Sequence, residues 1–171
     1  MQTWLEFYAV SGAVAATLLG LLFVSVSMNT AAILGEGHEN SRRLAEQAFQ
    51  NYLSVLLVSL LALFPQITIT EFSLTALGLT AVSSIWVLVR FYLSVAKPQD
   101  RESRLLPLRR HLSSLIGFGT LTTAALRMIA TKEDHRSWFA AGIVVLLGSA
   151  TTVSWELLIR IARMKPQAPG V

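Results

Sequence analysis

The sequence predicts an all-α polytopic membrane protein, a bundle of five transmembrane helices with the N-terminus outside and the C-terminus cytoplasmic. Three observations carry that prediction. Of 171 residues, 53% are hydrophobic and only 14% are charged, against about 25% charged residues in soluble domains. The apolar residues fall in runs long enough for a ~30 Å hydrocarbon core, which needs about 20 residues of helix. The basic residues lie mostly between or after those runs and mostly on one side.

The first run, Trp4 to Leu34, exceeds the span length and is expected to tilt or protrude. Trp4, Phe7 and Tyr8 fit an interfacial aromatic anchor. The opening residues lack the basic region of a cleaved signal, so this segment is expected to be retained. Gly12, Ala16 and Gly20 recur every four residues and leave one face bare enough for another backbone to approach. A second face carries Ser11, Ala15, Leu18, Leu22, Ser25 and Asn29.

The linker GEGHENSRR, 35–43, leads into a second segment from about Arg42 to Phe64, with Asn40 or Ser41 as its expected cap. Its first turns are polar on one side through Gln47, Gln50, Asn51 and Ser54. Pro65 stops it. Only Pro65, Gln66 and Ile67 separate it from a third segment, Ile69 to Ala96, and Thr68 with Glu71 matches a capping box. Arg90 lies near the end of that third run and is expected to snorkel toward the interface.

The charged stretch KPQDRESRLLPLRR, 97–110, precedes a fourth segment, about Leu108 to Ala130, with Pro107 suited to its first turn. This span is rich in small and polar residues. A second charged loop, TKEDHRS, leads to a fifth segment, Trp138 to Arg163. Five spans place Arg42, Arg43, Lys97, Arg101, Arg104, Arg109, Arg110, Arg160, Arg163, Lys165 and nearby Arg90 on one side. Only Lys132, Arg136 and nearby Arg127 fall on the other. By the positive-inside rule the basic side is cytoplasmic. That topology also explains a pI near 10 without nucleic acid as a partner.

Glu156 lies inside the fifth run, where an unpaired carboxylate costs about 2.5 kcal/mol or more. Two partners are available: Arg160, one turn later on the same helix, or Arg90 across the bundle. Glu156 shares a stripe with Gly142, Val145, Ser149, Thr152 and Arg160. With Arg90, Asn29, Asn51 and Gln50 it defines a candidate polar site in the cytoplasmic half. A stripe on the fourth segment, Ser113, Ile116, Thr120, Thr123 and Arg127, forms a hydroxyl-lined pore if it faces a symmetry axis, or bonds back to its own helix if it does not.

Catalysis and metal binding have little support. With no cysteine there is no thiolate site or disulfide, and His38, His111 and His135 are scattered without ligand spacing. No cofactor is expected. The run GAVAATLLGLLFVSVSMN, the following linker, RRLAEQAFQNYLSVLLVSLLALFP and the tight hairpin resemble a widespread group of small bacterial multi-pass membrane proteins of unknown function. The resemblance covers about residues 4–96 and implies a bacterial plasma (inner) membrane. The functional expectation is a homo-oligomeric channel or permease. The competing class is a non-conducting interaction or regulatory subunit that docks a membrane or cytoplasmic partner through Arg101, Arg104, Arg109 and Arg110.

Overall fold

A computed structural model describes residues 2–30, 33, 39–65, 67–96, 105–132 and 136–164. They form five helices: α1 Gln2–Met28, α2 Glu39–Leu63, α3 Ile69–Ala96, α4 Leu105–Thr131 and α5 Arg136–Met164. No strand occurs among the described residues. Four of the helices, α1, α3, α4 and α5, are long and apolar enough to cross a membrane. α2 is the exception because its first half is polar. The chain is an all-helical protein with the elements of a multi-pass membrane protein.

Local chemistry accounts for several boundaries. α1 ends at Met28, ahead of the expected Leu34, with Asn29 in a turn whose carbonyl accepts from the amide of Ile33 (3.1 Å). Within this turn the Asn29 side chain donates back to the Ser25 carbonyl at 2.9 Å. α2 begins at Glu39, so Asn40 and Ser41 lie within its first turn instead of capping it. Glu39 there binds Arg43, and Arg42 binds Glu46, both one turn apart. The α3 capping box closes as the sequence indicates: the Thr68 amide donates to Glu71 Oε2 (3.0 Å) and the Glu71 amide donates to Thr68 Oγ1 (3.2 Å). α4 starts at Leu105, three residues before expected, and retains Pro107 in its first turn. It ends at Thr131, and the next residue, Lys132, with a φ of 55° and an amide bond to the Met128 carbonyl, makes a left-handed cap.

α2 is the hub. It packs extensively against α1 on one side and α5 on another, α5 packs on α4, and α4 packs on α3. α2 and α3 are joined by the shortest connection yet touch far less, because α3 gives its face to α4. They separate away from the Pro65 turn. Two apolar clusters fill the bundle. One gathers Tyr8, Phe72, Phe118 and Phe139, with the rings of Phe72 and Phe139 edge to face at 5.1 Å. The other gathers Leu22, Leu44, Tyr52 and Leu157.

Glycine sets how closely α4 and α5 meet. A Cβ on Gly117 would stand 2.7 Å from Leu146 Cδ2, and a Cβ on Gly142 would stand 2.7 Å from Leu121 Cδ2. Each leucine thus occupies the space over the other helix's glycine, and both leucines are fully buried. The outer faces are apolar instead of charged: Val10, Leu21, Phe23, Leu74, Val82, Val144 and Trp155 are all exposed. Such surface suits contact with lipid tails.

Candidate functional site

The polar residues of α2 sort by helical angle, and each face finds different partners. Gln50 and Ser54 turn toward α3, where Gln50 Nε2 donates to Ser83 Oγ (3.1 Å) and the Ser54 and Ser83 hydroxyls lie 3.4 Å apart. Tyr52 turns toward α5 and donates to Thr151 Oγ1 at 3.4 Å. Gln47 and Asn51, one turn apart, point together into the junction of α2, α4 and α5.

At that junction five side chains converge. Gln47 Nε2 donates to Ser114 Oγ at 3.1 Å, and Asn51 Nδ2 donates to Ser114 Oγ at 2.9 Å and to Ser149 Oγ at 3.3 Å. Ser149 Oγ lies 3.0 Å from Ser114 Oγ and 2.9 Å from Ser113 Oγ. The centre sits where the two apolar clusters meet: on α5, Leu146 belongs to one and Ala150 to the other, with Ser149 between them.

The proton directions follow from counting. A hydroxyl has one proton and two lone pairs. Both lone pairs of Ser114 receive amide protons, so its own proton goes to Ser149. Ser149 then accepts from Ser114 and Asn51, and its proton goes to Ser113, which is half-exposed. The chain runs from a sealed interior to the bundle surface in one sense.

Asn51 Oδ1 is one of the buried polar atoms left unmatched, as is Ser59 Oγ on the same helix. Asn51 is fully buried, and its Oδ1 has no hydrogen-bond partner among the described residues. In this orientation the Asn51 nitrogen serves both serines and its carbonyl is the unmatched end. A buried polar atom without a partner costs about 1–3 kcal/mol, so a sequence retains one where it has a use or an unseen partner.

The other expected site residues lie in several places. Glu156 pairs with Arg160 on its own helix, through Arg160 Nη2 at 2.8 Å and Nε at 3.2 Å, and both side chains are about two-fifths exposed. Thr152 is exposed and donates to the Gly148 carbonyl. Asn29 bonds within its own turn. Of the expected inner site, Asn51 and Ser149 meet, while Gln50 joins the separate Ser83 contact. The side chains of Arg90, Arg109 and Arg110, and residues Arg101 and Arg104 altogether, lie outside the described residues.

Thr120 donates to the Ile116 carbonyl (2.8 Å) and Thr123 to the Gly119 carbonyl (2.7 Å), so both hydroxyls bond their own helix. Arg127 stands over the Trp138 ring at 5.7 Å, tying the end of α4 to the start of α5. Of the small-residue stripe, Gly12 packs against α2, where an added Cβ would meet Ser59 Cβ at 3.1 Å. Ala16 and Gly20 are exposed.

Ser114 is the residue that the stripe on the fourth segment passes by. It lies one position beyond Ser113, on the face that continues through Gly117, Phe118, Leu121 and Ala125 and is buried. The small residues at 114 and 117, one turn apart, are the signal in the sequence for close approach by another helix on this face. No family model matches the chain, and no curated protein or solved structure matches it either.

Proposed function

We propose that the protein is a small membrane permease that passes an uncharged hydrogen-bonding solute through the Asn51–Ser114–Ser149 centre. The observation that carries this reading is the unmatched Asn51 carbonyl beside a one-way chain of hydroxyls. That combination offers a passing O–H or N–H group an acceptor at Asn51 and exchangeable partners at the serines.

The chemistry of the centre selects the solute class. Its amides and hydroxyls carry no formal charge, so an ion entering it would give up hydration without a countercharge, at several kcal/mol. A neutral solute exchanges hydrogen bonds one for one. Passage requires α2 to move against α4 and α5, and the limited contact between α2 and α3 leaves α2 least restrained on that side.

In this reading α2 is the fifth span. It is enclosed by helices of spanning length, and nearly half of its residues are buried. The 11 basic residues against 3 then set the N-terminus outside and the C-terminus in the cytoplasm of a bacterial plasma membrane. Self-association would use the exposed face of α1 at Ala16 and Gly20. The test is stopped-flow swelling of proteoliposomes in urea and glycerol gradients, with conductance to potassium and chloride in parallel. Urea or glycerol entry that depends on Asn51, without ion conductance, is the expected result.

A further inference from the structure

The separation of α2 from α3 opens a groove of about 660 Å³ between α1, α2 and α3, a volume in the range of specific small-molecule sites. Its walls are graded. At one end stand Arg42 and Glu46, in the first turns of α2; farther along, Leu22 and Phe23 of α1 face Phe49 of α2 and Trp86 of α3. From Arg42 to Gln50 the groove follows about 12 Å of α2. The charged end lies beside the end of α1, at the level where a spanning helix leaves the hydrocarbon.

We propose that this groove holds one anionic phospholipid, its phosphate on Arg42 and part of an acyl chain between Phe23, Phe49 and Trp86. Glu46 binds Arg42 through Nε alone (2.9 Å). That contact orients the guanidinium and leaves its two terminal nitrogens for a bidentate phosphate contact. The Arg42 side chain is 64% exposed and that of Glu46 is 32% exposed, so the cation is the outer group and meets a headgroup first. The apolar remainder of the groove, lined by Leu22, Phe23, Phe49 and Trp86, suits an acyl chain, which a free phosphate or a polar peptide lacks. The site is independent of the Asn51 centre and of which side of the membrane is cytoplasmic.

The full-length protein is equilibrated in detergent with equimolar phosphatidylglycerol and phosphatidylcholine, and retained lipid is counted by native mass spectrometry. One phosphatidylglycerol per chain is expected, about fivefold enriched, the preference that one guanidinium near a surface supplies. Arg42→Gln removes the enrichment but keeps a lipid bound. Ala45→Trp, which fills the groove from α2, reduces both lipids, and Phe23→Ser, at an exposed wall position, does the same without touching the core. Helical content by circular dichroism shows that each variant is folded. Equal retention of the two lipids by the unmodified protein, or unchanged retention in Phe23→Ser, would overturn the proposal.

Discussion

The hydroxyls of Ser114 and Ser149 lie 3.0 Å apart where α4 meets α5, and the amides of Gln47 and Asn51 set the direction of the bond between them. Both amides donate into Ser114, so Ser114 in turn donates to Ser149. A helix that enters the bundle with polar residues thereby polarises two others. This is the one place among the described residues where three helices share side-chain hydrogen bonds.

Ser114→Ala removes the acceptor used by both amides. It is expected to lower stability in detergent by about 1 kcal/mol, the scale of a lost buried hydrogen bond, tempered by the smaller average found between membrane helices. Thr120→Val with Thr123→Val deletes two hydroxyls that bond only backbone in the observed structure. That double variant is expected to match the unmodified protein in both stability and flux. A large loss of flux in it would favour the pore stripe over the Asn51 centre.

Glycine substitutions separate close packing from open surface. Gly142→Ala sets a Cβ 2.7 Å from Leu121 Cδ2 and 3.3 Å from the Gly117 carbonyl, so the fully buried Leu121 side chain must shift. A loss of about 1–3 kcal/mol is expected, as for overpacked cores. Gly20→Ala meets nothing within 4 Å and is expected to be neutral in the monomer. Gly12→Ala falls between, since Ser59 Cβ at 3.1 Å must yield by only a few tenths of an ångström. Thermal unfolding of the three variants in one detergent ranks them.

Glu156→Gln breaks a contact between two side chains that are both substantially exposed. Discounted for screening, a helical pair of this kind contributes about 0.3–0.5 kcal/mol. The expected change in unfolding temperature is correspondingly small. A loss of several kcal/mol would show that Glu156 serves as a buried ion whose partner had been removed.

Periodicity and composition made the helices legible, because apolar runs of spanning length leave little freedom in fold class. The tight Pro65 turn and the Thr68–Glu71 capping box were legible from residue type alone. The faces were harder to read. Gly12, Ala16 and Gly20 form one stripe in sequence, yet only Gly12 is packed, since α2 lies against the neighbouring face of Tyr8, Ser11, Ala15 and Leu22. In lipid an outward face and an inward face are both apolar, so hydropathy does not tell them apart. Asn51 and Ser149 stood out as polar residues in apolar runs, whereas Ser114 did not, because its role comes from three helices meeting and not from its own surroundings in the chain.

The most direct measurement is the rate of urea entry into proteoliposomes carrying the unmodified protein or Asn51→Leu, a substitution of similar size that removes the buried amide. Protein-dependent urea entry is expected, falling to the rate of empty vesicles in Asn51→Leu while the variant remains folded and inserted. Equal entry in both preparations, or entry no faster than through lipid alone with the unmodified protein, would contradict passage through the Asn51 centre.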